Sequence, residues 1–314
     1  MLQRKELVMG VAVLIILPWL SPNLYIVNIM VLWAIYSIIS LGLSLFFGYA
    51  GQISLGHAAF FGIGAYSTAI LTTDINFPAW PAFGISVAFT AFIAFLIGLP
   101  ILKLKEHFLA LATLGFGEIL SVVLNEARFI THGTTGITDI PSLSIGSFSF
   151  DGYIKMYYLA WFILMSLLFF SHKLIHSRVG RTLCSLSTSE VAASCLGIDT
   201  QKYKLNIFIL SAVYAAIAGN LYAFSINAVS PSTFDLSLSI LLIMMVIIGG
   251  LGNLWGAVIG AGVLTWLSEF LSSYQEYSLT IYGFLLIILL LFMPKGVIVG
   301  SKDIIGRLKR SWPN

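Results

Sequence analysis

Glu118 stands in the middle of an apolar run, Leu109-Ala-Leu-Ala-Thr113-Leu-Gly115-Phe-Gly117-Glu118-Ile-Leu, with no basic residue within a helical turn. A carboxylate at membrane depth costs on the order of 2.5–3.5 kcal/mol on insertion scales. Something must offset that: a partner on another helix, a water-filled cavity, or protonation. Thr113 and Glu118 are therefore candidates either for a solute path or for a polar bond between helices. A second group is Gln52, Ser54 and His57, inside the small-residue segment Gly48-Tyr-Ala-Gly51-Gln52-Ile-Ser54-Leu-Gly56-His57-Ala-Ala-Phe-Phe-Gly62-Ile-Gly64-Ala. Such a segment packs backbones closely. Its polar side chains could satisfy groups freed by an irregular turn, or face a path. His57 has no second metal ligand at helical spacing, so no metal site is expected.

A third group lies between apolar runs, in Ser189-Glu190-Val191-Ala192-Ala193-Ser194-Cys195-Leu196-Gly197-Ile198-Asp199. It reads as a short amphipathic helix over Thr188–Leu196, stopped by Gly197 and flanked by bases. It could rest on lipid head groups or dock into a groove on a partner. Its apolar side is too small for strong lipid binding, which favours the partner. Gly252, Gly256 and Gly260 form two overlapping GxxxG units, and Ala212, Ala215, Gly219 and Ala223 form a similar smooth stripe. Both predict helix contact faces.

The sequence has no G-x-x-x-x-G-K-[ST], no H-E-x-x-H, no paired cysteine ligands and no G-x-S-x-G. No catalytic residue is expected, no cofactor on this chain and no nucleic-acid partner. Cys184 and Cys195 give no disulfide framework, and both fall in a segment read as cytoplasmic, where thiols stay reduced.

The elements that must hold these groups follow from composition. Of 314 residues, 59% are hydrophobic and 9% charged, and the mean hydropathy is +0.98. So few ionised side chains cannot cover a soluble core, which leaves an integral membrane protein. Ten apolar stretches can be traced: 7–20, 26–47, 53–71, 80–102, 108–124, 156–170, 205–226, 236–248, 255–271 and 279–293. The first and eighth are short for a crossing, so eight to ten spans are expected, and the third reads as broken or packed inside. The first resembles a signal peptide but lacks a small-x-small cleavage site, so it is read as an uncleaved span.

With a cytoplasmic N-terminus and all ten stretches crossing, the inner segments hold 14 of the 16 basic residues and the outer segments only Arg128 and Lys155. That is the positive-inside pattern. It predicts an N-in/C-in, all-α polytopic membrane protein forming a single domain over 1–314. Residues 128–155 form an external loop and 171–204 a cytoplasmic one.

On the residues Gly48–His57, Thr113–Ile119, Arg178-Val-Gly180-Arg181, Glu190-x-Ala192-Ala193-x-x-x-Gly197, Gly249-Gly250-x-Gly252-Asn-x-x-Gly256 and Pro294-x-Gly296, the chain resembles the LivM-type permeases of branched-chain amino acid ABC importers. The resemblance covers about 33–299. It implies the ABC importer permease fold and a coupling loop in which Arg178, Gly180, Arg181, Glu190, Ala192, Ala193 and Gly197 contact an ATPase. It also implies a homologous permease subunit, two cytoplasmic ATP-binding subunits carrying Mg–ATP, an external solute-binding protein and a place in the lipid of the bacterial plasma (inner) membrane. The implied cargo is leucine, isoleucine or valine, moved by alternating access. Urea and short amides are carried by related permeases and stay open. A stand-alone ion-coupled transporter using Glu118 is the rival class; it has no need of the coupling loop.

Overall fold

The structure, a computed structural model, describes residues 23–145, 148–150 and 152–271, with isolated positions at Pro18, Gly283 and Phe284. The expected spans over 7–20 and 279–293 lie outside the described residues. The other eight apolar stretches each become a helix. They are α1 (Leu24–Leu43, continued by a π turn, Ser44–Tyr49), α2 (His57–Thr73), α3 (Ala79–Ile101), α4 (Glu106–Glu126), α6 (Tyr153–His176), α9 (Thr200–Ile226), α10 (Leu236–Gly249) and α11 (Leu254–Phe270). Five of these are long and apolar enough to cross a membrane: Leu24–Tyr49, Ala79–Ile101, His107–Glu126, Tyr153–His176 and Thr200–Ile226. Three short helices lie between them: α5 (Arg128–Thr131), α7 (Arg178–Thr188) and α8 (Glu190–Cys195). Two two-residue strands, Ser144–Ile145 and Phe148–Ser149, pair antiparallel in the loop before α6.

α1, α2 and α9 form the centre. Phe46 meets Phe208 with ring centroids 5.2 Å apart. A Cβ on Gly42 would lie 2.6 Å from the Tyr214 Cβ, and one on Gly219 only 2.1 Å from the Phe61 carbonyl oxygen. Backbones this close require the smooth stripe Ala212, Ala215, Gly219 and Ala223, all of which are buried. Without a hydrophobic drive between helices in lipid, such contact area holds the helices together. α3 obeys the same logic: its buried residues are Ala82, Ser86, Thr90, Ala94 and Gly98, one small residue every fourth position. Its bulky residues Ile85, Phe89, Phe92, Phe95, Leu96 and Leu99 point outward, the reverse of a soluble helix. Ser86 Oγ lies 2.8 Å from both the Gly64 carbonyl oxygen and Asn220 Oδ1, and Thr68 Oγ1 donates to the same Asn220 oxygen. These bonds staple α2, α3 and α9.

α10 and α11 form a hairpin. Gly249 and Gly256 oppose each other so closely that a Cβ on Gly256 would lie 2.2 Å from the Gly249 carbonyl oxygen, and one on Gly260 2.0 Å from that of Met245. The sequence expectation needs one correction. Gly252 is not on this helix face: it sits in the turn before Asn253, the N-cap of α11, with φ +74°. The Asn253 side chain accepts the Gly256 N–H, so helix α11 starts after Gly252 and only Gly256 and Gly260 pack as foreseen.

The contacts fix the relative directions. α2 runs parallel to α9, since Gly64 meets Ala216 and Thr68 meets Asn220. α1 and α3 run the other way: Phe46 meets Phe208, and Gly98 meets Leu205. The ends bearing Lys103, Lys173, Arg178, Arg181, Lys202 and Lys204 thus fall on one side of the bundle, and those bearing Arg128 and Lys155 on the other.

Candidate functional site

α2 does not begin at the bundle's end. Its first residue, His57, bonds Ser211, eleven residues into α9, about 16 Å along that helix at 1.5 Å per residue. The segment Gly51–Gly56 climbs there without helical structure, which accounts for the broken character expected of the third stretch. α10 also begins inside. After α9 ends at Ile226, the chain returns through a 3-10 turn, Pro231–Phe234, that lays Phe234 on Gly62. Asp235 then caps α10 by accepting the Leu238 N–H, and Ser239 Oγ accepts the Ala58 N–H. Two short helices entering from opposite ends therefore meet at their N-terminal turns.

His57 is fully buried and fully bonded. Ser211 Oγ donates to the Phe208 carbonyl oxygen at 2.7 Å, so it accepts from His57 Nε2 at 3.0 Å. Nδ1 then accepts from Ser54 Oγ at 3.0 Å, and that oxygen accepts the Gly56 N–H. These roles describe a neutral imidazole that ties the start of α2 to α9. Thr113 Oγ1 accepts the Leu55 N–H and donates to the Ala110 carbonyl oxygen, both at 3.0 Å. Gln52 is buried, with its Oε1 bonded to none of the described residues. Ser54, His57 and Thr113 therefore satisfy the irregular turn, and the structure brings them together.

Glu118 lies elsewhere. α4 is the least buried of the long helices, and Glu118 is exposed on it, with no side-chain bond among the described residues. It borders a shallow cleft with Gly117 and Leu114, lined across from it by Leu55, Ala58 and Ala59 of α2 and by Phe234, Asp235, Leu236 and Ser239 at the start of α10. The carboxyl oxygens of Asp235 hold the Leu238 N–H and the Ser237 hydroxyl. The Ala58 and Leu238 N–H groups on this cleft are engaged, whereas the Glu118 carboxylate has no bond among the described residues. It can accept hydrogen bonds or hold a cation, and it opens away from the chain's own core. Asp235 is a residue that sequence reasoning passes over. Its signal is the cap pattern Asp-x-x-Leu opening an apolar run after Pro231.

The loop 171–204 folds as a bracket at the basic end. Ser177 caps α7 by accepting the Val179 N–H, and Gly180 packs beneath the end of α6. Ser189 then caps α8 by accepting the Ala192 N–H. α8 ends as foreseen: the Gly197 N–H bonds the Ser194 carbonyl oxygen and the Ile198 N–H that of Ala193, with Gly197 at φ +79°. That pair of bonds is the Schellman ending, which favours glycine at the left-handed position. Arg178, Arg181, Glu190 and Ala192 are exposed, while Ala193 is buried. The apolar side chains Val191 and Leu196 stand 73% and 80% exposed. Glu190 is bonded within the chain, to Lys204 at the foot of α9. No group of three or more His, Cys, Asp or Glu that could hold a metal occurs among the described residues.

Residues 25–293 match the family described as branched-chain amino acid transport system permease component. The high-affinity branched-chain amino acid transport system permease protein LivM of Escherichia coli K12 is 30% identical over 87% of this chain and 69% of its own length. The corresponding LivH of Salmonella typhimurium is 25% identical over 86% of this chain and 93% of its own. The ribose import permease protein RbsC of Escherichia coli K12 is 24% identical over 86% and 85%. No solved structure matches the chain. A bundle of apolar helices held by small-residue contacts and matching this family over most of its length is a multi-pass membrane permease, and the chain belongs to the branched-chain amino acid transport system permease family.

Proposed function

We propose that this chain is the membrane-spanning half of an ATP-driven importer in the bacterial plasma membrane. It would pair with a homologous permease, take substrate from an external solute-binding protein and be driven by two cytoplasmic ATPases that carry Mg–ATP. The observation that carries this reading is the α7–α8 bracket. An ion-driven carrier has no use for a short helix fixed at the basic end of the bundle with Val191 and Leu196 turned outward. Those two side chains suit a groove on a cytoplasmic subunit. The basic ends of the helices then face the cytoplasm, consistent with N-in/C-in and ten spans. Glu118 and the cleft between α2, α4 and α10 face the substrate path, where a carboxylate escapes hydrocarbon.

The cargo we favour is leucine, isoleucine or valine, on the names of LivM and LivH; the likeness to a ribose permease keeps the test open to other small polar solutes. Vesicles holding the assembled complex and loaded binding protein should take up labelled leucine. Excess isoleucine or valine should compete, whereas urea and ribose should not. Competition by urea or ribose in place of the amino acids would reassign the cargo. A second reading, an ion-coupled carrier with Glu118 as its cation site, draws on the exposure of that carboxylate at mid-helix; it predicts uptake without any ATPase.

A further inference from the structure

Lys204 is buried at the foot of α9, its side chain only 3% exposed, and its ammonium lies 2.5 Å from Glu190 Oε2. Glu190 is its only ion-pair partner among the described residues, and the Glu190 side chain is 45% exposed. Removing the carboxylate would leave an uncompensated charge buried in the bundle, which is strongly destabilising.

The two ends of this pair differ in how they are held. Lys204 belongs to a 27-residue helix packed along its length. Glu190 is the first residue of a six-residue helix whose only buried side chain is Ala193. Beyond its short chain links to α7 and, through Ile198, to α9, the side chains that hold α8 to the body of the permease are Ala193 and this one charged pair. α9 leads onward from it. Seven residues beyond Lys204, Ser211 accepts from His57 at the start of α2, and Asn220 holds Thr68 and Ser86. Lys204 therefore joins the coupling helix to the helix that carries the bundle's polar contacts.

We infer that Lys204 is a positioning residue that ties the coupling helix to α9, so that a displacement of α8 is passed through the Lys204–Glu190 pair into α9 and α2. This rests on the ATPase-coupled reading above. It also changes what Glu190 is for: its carboxylate faces inward to Lys204, rather than outward to the ATPase.

The test uses the whole complex, with Cys184 replaced by serine and a nitroxide attached to the native Cys195, which is exposed on α8. Lys204→Met should shorten the label's rotational correlation time, and Glu190→Lys should do the same. Reversing the pair, Glu190→Lys with Lys204→Glu, should return the wild-type spectrum. In proteoliposomes each single change should lower substrate uptake per ATP hydrolysed by about tenfold, within the usual span of coupling between sites, and the reversed pair should recover most of it. Lys204→Arg keeps the charge and serves if Lys204→Met is not recovered from membranes. It should preserve both readouts, and a tenfold loss in it would overturn the inference.

An unchanged spectrum and unchanged coupling in Lys204→Met would overturn it too. So would a reversed pair with a restored spectrum but coupling as poor as Glu190→Lys alone, since Glu190 would then act directly on the ATPase. Absence of ATP-driven uptake in the unmutated complex would instead contradict the transport reading, and the label spectra would still decide whether Lys204 holds the helix.

Discussion

His57 Nε2 and Ser211 Oγ lie 3.0 Å apart, and this bond joins the first turn of α2 to the middle of α9. Both residues are buried, and Ser211 has already given its proton to Phe208. Ser211→Ala therefore leaves a buried N–H without a partner, at about 1–3 kcal/mol. The purified variant should melt several degrees below wild type. His57→Phe removes the donor and should also destabilise. The double variant should fall short of the sum of the two, because the unpaired group is gone. Strict additivity in a thermal melt followed by gel filtration would show that the two side chains are not coupled.

Backbone contact in this bundle sets a sharp size limit. Gly219→Leu and Gly260→Leu place carbons where the Phe61 and Met245 carbonyl oxygens already stand. Overpacking of a formed interface costs about 1–3 kcal/mol and more for larger groups. Recovery of monodisperse protein should drop severely in both. Gly84, with nothing within 4 Å of its missing Cβ, supplies the control: Gly84→Ala should express and melt as wild type.

Gly197 tests a different constraint. A Cβ there meets nothing within 4 Å, but the residue sits at φ +79°. The cost of a side chain is therefore backbone strain, about 1–2 kcal/mol for a residue forced left-handed. Gly197→Val should misplace the end of α8 and reduce substrate-stimulated ATP hydrolysis, with the protein still inserted and assembled. Gly197→Asn, which tolerates this backbone, should retain most of that stimulation. Equal behaviour of the two would remove the left-handed turn from the explanation.

For Glu118 the shape-preserving change separates two demands. Glu118→Gln keeps an acceptor on the cleft beside Asp235 and should keep the fold and most transport. Glu118→Leu should lower uptake by an order of magnitude or more, about the loss of a hydrogen bond to a charged group. Wild-type uptake in both would leave the position as plain helix surface.

Much of this was legible in the residues. Hydrophobicity and run length located a helix in each described apolar stretch, and small-residue spacing foretold the tight faces of α9 and α11. The cap chemistry of Gly197 was local and readable. What escaped depends on contacts distant in sequence. Gly252 carries the same spacing as Gly256, yet Asn253 caps the helix after it, and a cap can override a spacing. Lys204 reads as one more basic residue of an inner loop until the fold brings it to Glu190. The Ala82–Gly98 stripe was visible at every fourth position, but aromatic residues between its members masked it. Glu118 was expected to find a partner on another helix, a water-filled cavity or a proton. Within this chain the structure gives it no partner among the described residues and sets it beside a cleft on the outer surface.

What drives transport separates an ATP-coupled permease from an ion-coupled carrier. The measurement is uptake of labelled leucine into proteoliposomes containing this chain, its sister permease, the ATPases and binding protein, with ATP supplied on the cytoplasmic side. Uptake should require hydrolysable ATP, persist when proton and sodium gradients are collapsed, and stop with a non-hydrolysable analogue. Uptake by the permease chains alone under an imposed proton or sodium gradient, indifferent to ATP, would contradict the ATP-coupled reading.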